Sequence, residues 1–308
     1  MIEIAENGCI TEKTAVALGF FDGLHSGHRL VLSEAKKYAE KGFAPAVFTF
    51  NAESLEFKHG KPLEYIYTNF MKLEYLEMLG AKYVYSPDFD EIKAKDGEEF
   101  VRDILCRKMN AGAVVCGDNF RFGKNACCGA EELCRFGEKY GFEVRIITLP
   151  PDAFSSEKYR SMLREGKVYE LYQSSNAYTL CAEVVDGNHI GRTINFPTIN
   201  QNFAERQLVP KRGVYHTITL LNGRFYDSVT NIGVKPTVGN CDKPLAETHI
   251  LGFSGDLYGA FVELTFYRYI REEKKFGSLD ELKKQIASDV EFVLADSPLN
   301  TDFNCDNI

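Results

Sequence analysis

The hydrophobic period of this chain changes once, near residues 168–177, so one layered plan cannot serve both halves. Before that point short apolar runs alternate with stripes at helical spacing. Residues 15–18, 46–50, 82–85, 113–116 and 143–149 read as strands, and 29–41, 69–79, 97–109 and 131–140 as helices. Gly80 and Gly141 stand where helices of this kind stop. Such alternation needs crossover connections, hence a parallel sheet with helices on both faces. Residues 169–177 form a polar, serine-containing joint, after which helical stripes vanish until Ser278. Strand-like segments replace them at 178–185, 214–221, 224–232, 248–251 and 260–268, with turn signals at Asp186-Gly187-Asn188 and Asn222-Gly223-Arg224. These predict a small antiparallel barrel or sandwich, closed by an amphipathic helix over 278–294, with a frayed tail after Pro298. The expected fold is α/β plus all-β: a Rossmann-like domain over 1–170, then a small antiparallel β-barrel domain over 177–298 with a C-terminal helix.

Composition narrows the function. Net charge is -8 and evenly shared: residues 1–170 hold 23 Lys/Arg against 27 Asp/Glu, and residues 171–308 hold 13 against 17. No basic half exists to track a phosphate backbone, which disfavours nucleic acid as a partner. The first residues lack the basic start and apolar core of a signal peptide, and no apolar run reaches membrane-spanning length. A cytoplasmic protein with no membrane partner is expected. The 9 cysteines show no paired CxxC spacing, so they read as reduced packing or surface thiols rather than zinc ligands.

The motif that constrains chemistry most is Gly19-Phe20-Phe21-Asp22-Gly23-Leu24-His25-Ser26-Gly27-His28. It falls where the first strand hands over to the first helix. There, backbone N–H groups and the positive end of a helix dipole can meet a phosphate. Glycines allow close backbone approach, and imidazoles supply donors for developing charge. A solvated surface turn is the alternative for so short a pattern. A second loop, Gly117-Asp118-Asn119-Phe120-Arg121-Phe122-Gly123-Lys124, follows the fourth strand. Both loops should face one crevice, because ligands of such sheets bind beyond the carboxyl ends of the strands. Asn119 can bond a heteroaromatic edge, and Phe120 and Phe122 offer flat surfaces. Ser155-Ser156-Glu157-Lys158-Tyr159-Arg160 opens a further helix, with a serine to cap it and Arg160 able to reach a phosphate chain.

Three segments of the second half carry polar chemistry. Gly187-Asn188-His189-Ile190-Gly191-Arg192 is a glycine-containing turn with an arginine. Asn195-Phe196-Pro197-Thr198-Ile199-Asn200 puts a hydroxyl and an amide two residues apart, on one face of an extended chain, where they suit a hard cation. Ala246-Glu247-Thr248-His249-Ile250 begins a strand with a carboxylate, a candidate general base. Singly, each also reads as a turn, an edge strand or a surface ion pair.

Together these residues resemble the prokaryotic bifunctional riboflavin kinase/FMN adenylyltransferase family, the FAD synthetases, over nearly the whole chain. The turn ending Leu24-His25-Ser26-Gly27-His28 is similar to the HxGH signature of nucleotidyltransferases, and residues 117–123 to the family's flavin-side loop. Gly191-Arg192, Phe196-Pro197-Thr198-Ile199-Asn200, Gly213-Val214-Tyr215, Asn231-Ile232-Gly233-Val234-Lys235-Pro236-Thr237, Glu247-Thr248-His249 and Gly255-Asp256-Leu257-Tyr258-Gly259 follow in riboflavin kinase order. The resemblance implies a nucleotidyltransferase domain followed by a kinase domain. It implies ATP and Mg2+, with riboflavin, FMN and FAD as substrates and products, and no obligatory protein partner. It also implies site residues. Gly19, Phe20, Asp22, Gly27, Ser156 and Arg160 would bind ATP in the first domain, with His25 and His28 holding its phosphates. Asn119, Phe120 and Arg121 would meet the flavin. In the second domain Gly187, Gly191, Arg192, Thr198 and Asn200 would bind ATP, Thr198 and Asn200 also the metal, and Glu247 would be the base.

The chain departs from the family in four places. Asn51-Ala52-Glu53-Ser54 stands where a Pro-His-Pro is usual, and Ser155-Ser156-Glu157 where Ser-Ser-Thr is. Ser175-Asn176-Ala177-Tyr178 replaces Gly-Arg-Pro-Tyr, and Asn195 replaces the glycine before Phe-Pro-Thr. Glu157 would weaken nucleotide binding unless it turns away or binds a cation. The alternatives are a kinase with a degenerate first domain, and a non-catalytic flavin binder.

Overall fold

The computed structural model describes residues 1–55, 57–58, 61–148, 154–187, 196–235 and 243–300. Its backbone contacts divide the chain between Ser156 and Glu157 into two units.

In the first unit, β1 (Ile2–Glu3) and β2 (Thr14–Leu18) precede α1 (Ser26–Lys37) and β3 (Ala44–Phe48). A two-stranded ribbon, β4 (Phe57–Lys58) with β5 (Lys61–Pro62), leads to α2 (Asn69–Met78) and β6 (Tyr83–Tyr85). Then come α3 (Phe89–Ile92), α4 (Gly97–Glu99), β7 (Ala111–Gly117), α5 (Ala130–Tyr140) and β8 (Glu143–Ile147). Six strands form one parallel sheet in the order β1-β6-β3-β2-β7-β8. Every residue of β2 and β7 is buried, as expected of central strands covered on both sides. Alternate residues serve opposite faces. Val16, Leu18, Val114 and Cys116 pack with Phe100, Val101 and Leu105, while Ala17, Val47 and Val115 pack with Val31, Leu32 and Ala35 of α1.

Three details of this half go beyond or against the residue pattern. The helix over 97–109 starts as α4 on an Asp96–Glu99 capping box but winds as a π-helix over Phe100–Lys108. The apolar pairs 100/101 and 104/105 share a face in either winding, so the pattern locates the helix without setting its pitch. The buried face of α2 is Met71, Lys72 and Leu76, whereas Phe70 and Met78 are exposed. Phe122 is a core residue against Phe100 and Phe136, not an open platform.

The second unit holds most of α6 (Ser156–Glu165), then α7 (Val168–Gln173), β9 (Tyr178–Val185), β10 (Ile199–Asn202), β11 (Gly213–Leu221) and β12 (Arg224–Lys235). It continues with β13 (Lys243–Ile250), β14 (Phe261–Arg271) and α8 (Leu279–Ala295). The strands close into an antiparallel barrel in the order β10-β13-β12-β11-β14-β9, the barrel being one of the two expected outcomes. Its wall contains buried hydroxyls that satisfy one another: Thr217 with Thr230 at 2.7 Å, Thr230 with Thr248 at 2.9 Å, and Thr219 with Ser228 at 2.6 Å. The expected polar joint is not one. Residues 168–173 form α7, whose Val168, Leu171 and Tyr172 are buried, Tyr172 among Ala177, Ile218 and Tyr267. Two turns of helix are too short to show a period, and the serines that follow dominate the local composition. The closing helix α8 packs through Val290 and Val293 against Val214 and Val229. A bidentate Arg271–Asp289 pair, at 2.9 and 2.6 Å, ties α8 to the end of β14.

Candidate active sites

The glycine–histidine turn is held by backbone geometry. Phe21, Gly23 and Leu24 all have positive φ, at 54°, 81° and 41°. Two non-glycine residues in that region mark stored strain, which surrounding contacts must hold. Thr49 Oγ1 donates to the Phe20 carbonyl at 2.8 Å, and Arg29 Nε donates to the Leu24 carbonyl at 2.9 Å. A Cβ at Gly19 would meet the Phe21 ring at 2.9 Å, so only glycine fits over it. Asp22 is buried and turned inward, accepting from the backbone N–H groups of Ile66 at 2.8 Å and Tyr67 at 3.3 Å. His25 is the N-cap residue of α1 and gives it no side-chain cap. His25 and His28 stack with ring centroids 3.7 Å apart, and Phe21 meets His28 edge-on at 5.3 Å. Two imidazoles and the first-turn N–H groups of Ser26, Gly27 and His28 thus share the positive end of α1.

The strand order places this turn at a switch point. From β2 the chain proceeds to β3 and β6 on one side, then returns to β7 and β8 on the other. Leu18 and Cys116 are partners across β2 and β7, so the two motif loops leave adjacent carboxyl ends. In the second loop Asn119 and Arg121 are exposed and Phe120 is half-buried. Arg121 Nη1 donates to the Phe120 carbonyl at 2.9 Å. Phe122 is fixed by a two-way backbone bridge to Cys128, at 3.0 and 3.1 Å. Ser156, the first residue of α6, donates from Oγ to the Asp22 carbonyl at 3.0 Å, which joins the third motif to the first. Arg160 is buried and belongs to the second unit. Glu157 is exposed, its carboxylate 3.8 Å from Arg160 Nη1.

One buried charge beside the turn escaped the sequence reading. Lys72 is fully buried behind the turn, donates to the Phe50 carbonyl, and lies 5.3 Å from the Phe20 ring centroid. Burial pushes its ammonium down to about 8, with Asp22 and Glu53 opposing the shift. Its only signal in the sequence is a position one turn before Leu76, on the core side of α2.

On the barrel, Asn200 of β10 and Asn231 of β12 are both Cα partners of Glu247 in β13. Directly paired residues share a face, so the three side chains form one row across three strands. Glu247 is exposed, whereas Asn200 is buried. A Cβ on Gly187 would fall 2.0 Å from Asn200 Nδ2, so this glycine lets the chain cover the amide. Thr198 lines a cavity of about 710 Å3 with Val184, Ile199, Thr248, Ile250 and Tyr258. His249 Nδ1 bonds the Pro197 carbonyl at 2.8 Å, steadying the approach to β10. Gly191 and Arg192, also expected here, lie outside the described residues.

A glycine–histidine turn at the switch point of a parallel sheet, with a separate barrel carrying hydroxyls, amides and an exposed carboxylate in one row, defines a two-domain transferase. The FAD synthetase family model matches residues 9–158 and the riboflavin kinase model residues 174–295. The chain belongs to the bifunctional riboflavin kinase/FMN adenylyltransferase family. The protein of that description from Bacillus subtilis is 32% identical over 90% of this chain and 90% of its own length. The one from Escherichia coli K12 is 33% identical over 92% and 91%. A crystal structure from Streptococcus pneumoniae, described as a macrolide-efflux protein, matches with a TM-score of 0.82 and 28% identity, over 95% of this chain and 98% of that one. No helix among the described residues here is long and apolar enough to cross a membrane.

Proposed function

We propose that this chain phosphorylates riboflavin to FMN on its barrel and adenylylates FMN to FAD on its parallel sheet, with ATP as the second substrate each time. The kinase occupies 177–298 and the adenylyltransferase 1–170, and the enzyme works in the cytoplasm without nucleic acid, membrane or obligatory protein partner. The observation that carries this reading is the Asn200–Glu247 pairing beside the Thr198 cavity.

In the first reaction the ribityl 5′-hydroxyl attacks the γ-phosphorus and ADP leaves. Glu247 is exposed and able to accept the hydroxyl proton as the new P–O bond forms. Asn200 Oδ1 is buried with no hydrogen-bond donor among the described residues. An orphaned amide oxygen near a threonine hydroxyl is a donor set that fits a hard cation. Thr198 and Asn200 would therefore hold Mg2+, which when bound neutralises phosphate charge. Gly187, Gly191 and Arg192 would cover the nucleotide.

In the second reaction an FMN phosphate oxygen attacks the α-phosphorus of ATP and pyrophosphate leaves. Both reactants are anionic, so the site must supply positive potential without occupying the line of attack. His25, His28 and the N-terminus of α1 supply it, with Gly19, Phe20, Asp22 and Gly27 shaping the cradle. Ser156 adds a nucleotide contact. Asn119, Phe120 and Arg121 hold the flavin.

Product analysis with riboflavin as the only flavin tests both halves. FMN, FAD and pyrophosphate together are expected with ATP and Mg2+. FMN without FAD would remove the adenylyltransferase, and no FMN would remove the kinase.

A further inference from the structure

The polar row on the barrel does not end at Asn231. Asn231 Nδ2 donates to Glu273 Oε1 at 3.3 Å, from two residues beyond β14. The carboxylate lies directly over Gly233: a Cβ there would come within 2.5 Å of Glu273 Oε1. The segment bearing it is anchored, because Arg271 is clamped to Asp289 of α8 and donates from Nη1 to the Glu272 carbonyl at 3.0 Å. A carboxylate only accepts, so this contact orients the amide and leaves Asn231 one N–H and its Oδ1 for another group. A donor and an acceptor on one amide match a hydroxyl. Glu247 is one strand away on the same face, roughly 4.8 Å between strand axes, a span that a five-carbon polyol bridges.

We propose that Glu273 is a positioning residue of the kinase, setting the Asn231 amide so that it grips a hydroxyl of the ribityl chain while Glu247 faces the terminal one. The proposal rests on the kinase reading of this barrel. It makes Glu273 and Asn231 determinants of riboflavin recognition and leaves ATP recognition to the Thr198–Asn200 side.

The test uses the full chain, with steady-state kinetics of FMN formation and a riboflavin titration followed by quenching of flavin fluorescence. Glu273→Ala should raise both the KM and the Kd for riboflavin about tenfold, with the KM for ATP within twofold. Glu273→Gln keeps an acceptor for the Asn231 N–H and should lose less than threefold. Gly233→Ala removes no functional group but displaces the carboxylate, so it should behave as Glu273→Ala with an unchanged melting curve. Unaltered riboflavin KM in Glu273→Ala, equal damage from Gln and Ala, or parallel shifts in both substrates would each overturn the proposal. Glu247→Gln is measured alongside. If it retains FMN formation, the kinase reading of the site itself fails. If it abolishes FMN formation while Glu273→Ala is silent, only the role of Glu273 falls.

Discussion

His25 and His28 lie face to face at the start of α1, ring planes 24° apart and centroids separated by 3.7 Å. Neither ring can move without disturbing the other, so the two form a single surface, which under the proposed function faces the phosphates. Groups acting as a unit give non-additive losses. His28→Ala should reduce FAD formation from FMN about 100-fold or more, and His25→Ala,His28→Ala should be little worse than the poorer single variant. FMN formation from riboflavin should be unaffected. Multiplicative losses in the double variant would show two independent histidines.

Glu247→Gln preserves size and hydrogen bonding and removes only the base. Its kcat for FMN formation should fall by about 10²–10⁴, with riboflavin affinity within a few-fold of the native value and FAD formation from supplied FMN unchanged. A rate within threefold of native would assign proton removal elsewhere.

Gly187→Ala probes the cover over Asn200. The new methyl would sit 2.0 Å from Nδ2 and 2.7 Å from Cγ, so the buried amide must swing out of its place. A rise in the KM for ATP of about tenfold is expected, with riboflavin affinity retained. Kinetics indistinguishable from native would place Asn200 outside the nucleotide site.

Lys72 gives a pH signature in stability. Its folded pKa of about 8 lies below the unfolded value, so the folded state binds fewer protons between those limits. The penalty for burying the ammonium is full below pH 8 and is relieved as pH rises from about 8 towards 10.5. Two to three pKa units correspond to about 3 kcal/mol. Lys72→Met should therefore be neutral or stabilising by about 1–3 kcal/mol at pH 7, and should abolish the gain on raising pH to 10. Urea unfolding of the first unit, followed from pH 7 to 10, checks both signs. A loss of more than about 2 kcal/mol at pH 7 would mean that the Phe50 contact outweighs desolvation.

Much of the fold was legible because strands and helices advertise their periods locally. The runs at 15–18 and 113–116 lie inside β2 and β7, and the turn at Asn222-Gly223 joins β11 to β12. The two-residue strand β1 and the two-turn helix α7 were invisible because neither is long enough to repeat. Lys72 was invisible for a different reason. Its burial depends on Phe20, Asp22 and Phe50, which are distant in sequence and carry no mark of their meeting.

The sequence by itself determined the kinds of element, the change of period between the two halves, and the residue types at each loop. These follow from side-chain size and polarity acting over a few neighbours. Only the tertiary structure decided that Leu18 and Cys116 are partners, bringing two loops to one switch point, and that Glu247 stands between Asn200 and Asn231. Strand order and register are settled by pairing between distant segments, and a shift of one residue would turn that carboxylate to the opposite face.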